Sequence, residues 1–298
     1  MRELIYGTYD QAGLDREYDN RNKVAGALGF MKAFSDDSAE LRQQLAGQLN
    51  VQFGPGVDET LDVFPAADGS VGSVPIQVFI HGGYWKMLTK DEFSYVARAF
   101  SPKGAATVVV NYGLIPNIDM DELVRQCRAA LAWTYRNADS FGGDPDRIFI
   151  SGHSAGGHLV AMMMATDWPD FATGSSDLPA DLPADLIKGG CGISGLYDLE
   201  PIRLCFLNDD LKLGVGEAER NSPLNLAPAT QRPLLLVVGG DEGPEYLRQS
   251  EGHAAAWRAR GVDVEVVVLP DQNHFSIVDQ LNDPTADLSQ LILRQMGL

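Results

Sequence analysis

The stretch Arg147-Ile148-Phe149-Ile150-Ser151 is apolar and rich in β-branched side chains. The next five residues are Gly152-His153-Ser154-Ala155-Gly156, and Gly157 to Met164 is a small, helix-forming run. Strand, sharp turn and helix in that order leave few folds open to the chain. A turn this tight brings backbone against backbone, so the positions flanking the serine call for residues without a Cβ. Ser154 then stands at a helix N-terminus with its Oγ exposed. There the helix dipole and the free N–H groups favour developing negative charge, as acyl transfer requires of its nucleophile.

Strand and helix patterns alternate through the rest of the chain. Pro75 to Ile80 reads as a strand, and Ala106 to Tyr112 is a continuous apolar strand of the kind covered on both faces. Asp121 to Ala138 carries apolar residues at helical spacing, Lys188 to Gly195 is a glycine-rich strand, and Pro233 to Val238 is a further strand. Glu245 to Arg260 is a helix closed by Gly261, and Val264 to Leu269 is the last strand. Alternation of this kind predicts an α/β fold with a mostly parallel sheet covered by helices on both faces. Val51 to Phe53 and Thr60 to Phe64 read as its antiparallel start. Thr89 and Glu92 have the capping-box spacing and predict a helix running through Phe93, Val96 and Phe100 to Gly104.

Ahead of the sheet, Ser38 to Leu49 reads as an amphipathic helix, with Ser35, Asp36, Asp37 and Ser38 as candidate N-caps. No stretch has the composition of a linker, so residues 1–298 are expected to form one domain. Residues 1–50 would be a helical extension, and the irregular residues 196–228 a lid over the site. The tandem Asp-Leu-Pro-Ala between Thr173 and Asp185 reads as a surface insertion.

Three loops that follow strands carry the remaining chemistry. His81-Gly82-Gly83-Tyr84-Trp85 presents a glycine pair directly after a strand, the geometry needed to offer bare N–H groups to an oxyanion. The hole is assigned to Gly83 with Gly82 or Tyr84, together with Ala155. Tyr84 and Trp85 either line the substrate pocket or pack. Gly239-Gly240-Asp241-Glu242 offers two carboxylates for orienting an imidazole. Counting from Gly239 favours Glu242, and Asp241 stays the alternative, because adjacent residues at a strand end point to opposite sides. Of five histidines, only His274 lies in a loop after the final strand, where it can serve as general base and acid. His81 and His153 read as residues that hold their loops in place.

The formal charge of -18 argues against nucleic acid or an anionic membrane as partner, leaving a small-molecule substrate. Three cysteines form no C-x-x-C pair, and no H-E-x-x-H string occurs, so no metal site and no cofactor are expected. The first residues lack the apolar core of a signal peptide, and no apolar run spans a bilayer. A soluble, cytoplasmic protein is the expectation, with a homodimer left open.

The strings His81-Gly82-Gly83-Tyr84-Trp85 with Lys90, and Gly152 to Leu159, resemble the kynurenine formamidase (arylformamidase) branch of the α/β-hydrolases. So do Gly143 to Arg147, Ile193 to Leu199 and Glu245 to Ser250, the last supporting the alignment that selects Glu242. The resemblance covers most of the chain. It implies the α/β-hydrolase fold with an eight-stranded sheet, and a metal-free serine hydrolase. Its substrate would be the formamide of N-formyl-kynurenine, cleaved to formate and kynurenine in tryptophan breakdown. A carboxylesterase of small acyl esters would use the same residues, since that distinction lies in pocket shape.

Overall fold

The computed structural model describes residues 3–67, 73–174 and 182–298. Its strands are β1 (Gln48–Gln52), β2 (Thr60–Phe64), β3 (Val74–Ile80), β4 (Ala106–Val110), β5 (Gly143–His153), β6 (Ile187–Ile193), β7 (Leu234–Gly239) and β8 (Val264–Leu269). They form one eight-stranded sheet in the order β1-β2-β4-β3-β5-β6-β7-β8. β2 pairs antiparallel with β1 and with β4, and every other pairing is parallel. This is the mostly parallel sheet read from the sequence.

Alternation along the strands divides the core in two. Ile76, Val78 and Ile80 of β3 and Ile148 and Ile150 of β5 face helices Met120–Asn137, Ala155–Met164 and Pro244–Arg258. Phe79 and Phe149 point the other way, into a second cluster with Phe34, Phe100 and Ile292. Each central strand is thus buried on both faces, which is why β3 and β4 read as unbroken apolar runs. The order of β3 and β4 reverses beside β5, and the carboxyl ends of parallel strands at such a point form a crevice. The loops carrying His81 to Trp85, Ser154, Glu242 and His274 all leave carboxyl ends of strands.

Three local expectations are corrected. The helix expected over Ser38 to Leu49 instead spans Ala27–Gln44, after shorter helices at Gln11–Tyr18 and Asn20–Lys23, and Gln48 and Leu49 belong to β1. The N-cap of the Ala27–Gln44 helix is Gly26 in a left-handed conformation. Ser38 does not cap it. Its buried hydroxyl accepts a hydrogen bond from the Tyr95 N–H, while Asp36 pairs with Lys32 one turn back along the helix. The capping box at Thr89 and Glu92 forms, yet it opens two 3₁₀ turns, Lys90–Glu92 and Ser94–Val96, before a short helix at Ala97–Phe100. Residues 196–228 are not irregular but fold into short helical pieces at Glu200–Leu204, Asn208–Leu211, Val215–Arg220 and Pro223–Asn225. The tandem Asp-Leu-Pro-Ala falls largely on residues 175–181, outside the described residues.

The 3₁₀ turn keeps Lys90 buried. Its Nζ lies 2.9 Å from Asp62 on β2 and 2.7 Å from both Asp91 and the Asn50 side chain, and Arg42 holds the other oxygen of Asp62 at 2.8 Å. This network ties the loop after β3 to the antiparallel edge of the sheet. Lys90→Met is expected to cost about 3 kcal/mol in chemical denaturation, because it leaves a buried carboxylate short of charge. Adding Asp62→Leu to that variant is expected to recover part of the loss.

Candidate active site

Ser154 sits between β5 and helix Ala155–Met164 with φ 58° and ψ -117°, a conformation costly for a residue with a side chain. Its neighbours explain the glycines around it. A Cβ on Gly152 would lie 2.4 Å from the Gly156 carbonyl oxygen, and one on Gly156 would lie 2.0 Å from that of Ile80. The Ser154 N–H donates to the Ile193 carbonyl at 2.8 Å, tying the turn to β6.

His274 Nε2 is 3.1 Å from Ser154 Oγ, and His274 Nδ1 is 2.6 Å from Glu242 Oε2. The carboxylate only accepts, so Nδ1 carries the proton and Nε2 presents its lone pair to the serine hydroxyl. Glu242 is buried. Its second oxygen accepts from Ser194 Oγ at 2.5 Å and from the Gly239 N–H at 2.6 Å, which fixes the carboxylate plane. Asp241 is exposed, and its backbone N–H donates to the Gln272 carbonyl at 3.0 Å. Adjacent residues do point apart, and it is Glu242 that meets the imidazole. Tyr246 packs its ring against His274 at 4.8 Å between centroids.

The loop after β3 lies against this hydroxyl. A Cβ on Gly82 would sit 2.8 Å from the His153 carbonyl and 3.1 Å from Ser154 Cβ, so only glycine lets the two loops touch. Gly83 has φ 113°, and a Cβ there would meet the Met87 carbonyl at 2.1 Å. Tyr84 and Trp85 also have positive φ, at 48° and 57°. Ala155 is the first residue of its helix, where the N–H has no intrahelical acceptor.

The aromatic pair divides. Tyr84 lines the cavity, with its hydroxyl donating to the Tyr18 carbonyl at 2.7 Å. Trp85 does not line it. It is fully buried and donates its indole N–H to His158 Nδ1 at 3.1 Å, and the His158 Nε2–H in turn donates to the Asn221 carbonyl at 2.8 Å. Its left-handed backbone turns the ring into the core, where a buried acceptor satisfies it.

His81 and His153 hold loops, as expected from their positions. His81 Nδ1 contacts the Gly82 carbonyl at 2.7 Å with its ring stacked on Tyr112, and His153 Nε2 contacts the His274 carbonyl at 2.8 Å. Burial holds both His81 and His158 at about 4, below the ordinary imidazole value, and His253 at about 3. Each is neutral in the fold and binds a proton more readily when unfolded. Stability is therefore full above pH 6.5 and falls as pH drops toward 4, by about 1.4 kcal/mol per pH unit for each fully buried imidazole. Calorimetry between pH 8 and 4 is expected to show Tm falling through that window.

A cavity of about 330 Å³ reaches Ser154, His153 and His274. Much of its wall comes from a part of the chain in which no site residue was read: Tyr18 to Asn22, Met31 and Phe34, joined by Phe206 and Leu207. The N-terminal segment is fastened there by polar bonds. Asn20 Nδ2 donates to the hydroxyls of Tyr84 at 2.9 Å and Tyr246 at 2.6 Å. Tyr18 donates to Glu245 at 2.8 Å, and Lys23 Nζ donates to the Glu242 carbonyl at 2.7 Å. Among the described residues no cluster of His, Cys, Asp and Glu is arranged to hold a metal ion, and no helix is long and apolar enough to cross a membrane.

A family model described as BD-FAE matches residues 61–178. The kynurenine formamidase of Salmo salar is 34% identical over 255 residues, 84% of this chain and 82% of that protein. That of Danio rerio is 33% identical over 279 residues, 92% of this chain and 89% of that protein. A crystal structure from Silicibacter sp., provisionally named a thioesterase, superposes with a TM-score of 0.78 at 28% identity, covering 94% of this chain and 98% of that one. Fold and sequence agree on a hydrolase, and the chain belongs to the kynurenine formamidase family of α/β-hydrolases.

Proposed function

We propose that this hydrolase cleaves aryl formamides, with N-formyl-kynurenine as the reference substrate, using Ser154, His274 and Glu242 as its triad. The observation that carries the reading is the continuous relay from Ser154 Oγ through the imidazole to a buried, fully hydrogen-bonded carboxylate. His274 Nε2 takes the hydroxyl proton as Oγ adds to the formyl carbon. The N–H groups of Ala155 and of the Gly82-Gly83-Tyr84 loop receive the oxyanion. Collapse breaks the C–N bond as the imidazolium returns the proton to the departing aniline nitrogen. Water, deprotonated by the same imidazole, then releases formate and restores Ser154. Glu242 keeps Nδ1 protonated and stabilises the imidazolium. The N-terminal segment and residues 206 and 207 serve as pocket walls within a single domain.

The test is kcat/KM of the purified protein on N-formyl-kynurenine beside a short-chain aryl ester, with and without a chelator. A formamide preference of orders of magnitude, insensitive to the chelator, is the expected result. Turnover of the ester alone would make the protein a carboxylesterase with the same triad, and inhibition by the chelator would remove the metal-free mechanism.

A further inference from the structure

Resting on the acyl-hydrolase reading above, we propose that Arg21 forms a carboxylate-binding subsite. The chain then selects substrates that join an aromatic acyl-bearing head to an anionic tail. The cavity beside Ser154 is walled largely by Met31, Phe34, Leu88, Phe93, Phe206 and Phe275, which suits an aryl body and offers an anion nothing. Its charged side chains are Asp19, Arg21 and Lys86. Asp19 caps the short helix Asn20–Lys23 and is turned onto it, accepting from the Asn22 N–H at 3.4 Å and side-chain amide at 2.7 Å. Lys86 is engaged across the rim by Asp210 at 2.5 Å.

Arg21 differs from both. Its guanidinium reaches over the wall to Met87, with Nη2 3.8 Å from the thioether sulfur, and among the described residues no carboxylate lies within ion-pair distance of it. An unpaired planar fork at the edge of an apolar cavity, in a chain whose net charge of -18 repels anions at long range, is matched to a single carboxylate held bidentately. A dianionic phosphate would call for a second free cation, and Lys86 is already paired.

The experiment compares two formamides with the same scissile bond, 4-(2-formamidophenyl)-4-oxobutanoate and neutral 2-formamidoacetophenone, on wild-type protein and on Arg21→Gln, Arg21→Lys and Arg21→Glu. Expected for Arg21→Gln is a loss of about 10- to 100-fold in kcat/KM on the anion, carried by KM, with the neutral substrate changed less than about 2-fold. Arg21→Lys keeps part of the preference, and Arg21→Glu loses more than Arg21→Gln. Equal losses on both substrates would mean that Arg21 only stacks on the aryl ring or supports the wall, and no loss on either would mean it meets bulk water. Both overturn the subsite. If no formamide is turned over, the formamidase reading fails by itself. The subsite is then judged on the ester pair 3-(4-acetoxyphenyl)propanoate and 4-ethylphenyl acetate, with the same expected ratio.

Discussion

Ser154→Ala lowers kcat/KM by about five to six orders of magnitude on whichever acyl substrate the protein turns over, the loss expected when one member of a cooperating triad is removed. What survives is the contribution of the N–H groups and of binding. The fold is expected to be unaffected, since alanine keeps the Ser154 backbone and removes only the hydroxyl facing His274. A companion variant separates chemistry from strain. Ser154→Gly loses the same activity yet gains about 1 kcal/mol of stability, because φ 58° with ψ -117° is costly for a residue with a Cβ and open to glycine. Steady-state kinetics with calorimetry on both variants checks this, and activity retained in either would remove Ser154 as nucleophile.

Glu242→Gln is expected to cost about 10⁴-fold in kcat, and Asp241→Asn less than about 2-fold. The amide is nearly isosteric with the carboxylate, but it carries no charge to stabilise the imidazolium, and its NH₂ group favours the tautomer with the proton on Nε2, facing Ser154 Oγ the wrong way. The buried site makes the effect large. Ser194 Oγ and the Gly239 N–H both donate to the other oxygen, so the side chain is held with its amide oxygen toward them and its NH₂ toward His274. Comparable small losses in both variants would place the orienting acid elsewhere.

The parts of the site that were legible in the sequence are those built by local rules. The Ser154 turn announces itself because its glycines are demanded by contacts a few residues away, such as that of Gly152 with the Gly156 carbonyl. The strands of the sheet were legible because burial on both faces leaves continuous apolar runs, as in Ala106–Val110. Counting from Gly239 favours Glu242 over Asp241 without excluding the latter, and the structure brings Glu242 to the imidazole while leaving Asp241 exposed.

The pocket wall was not legible for a physical reason. Asn20 meets Tyr246 at a sequence separation of 226 residues, and a single polar residue carries no pattern that points to so distant a partner. Ser194 likewise looks like a residue of a glycine-rich strand until the Glu242 carboxylate is seen beside it. The helix at Ala27–Gln44 was misplaced because its start is Gly26, which caps without a side chain, while Ser38, shaped like a cap, serves Tyr95 instead. Trp85 could not be assigned because a positive φ, not its residue type, decides which way the ring points.

Lys23 is bonded to the carbonyl of Glu242, 219 residues later in the chain, and Tyr18 and Asn20 are bonded to Glu245 and Tyr246. At about 5 to 20 residues per second, a ribosome needs roughly 10 to 45 seconds to cover that interval. Tyr18, Asn20 and Lys23 are therefore made long before their partners, and they wait for the stretch that also carries Glu242. A nascent chain that has reached Ser154 but not His274 lacks the imidazole that meets the serine hydroxyl, and its pocket wall is still unfastened, so the site is assembled only after His274 has been made.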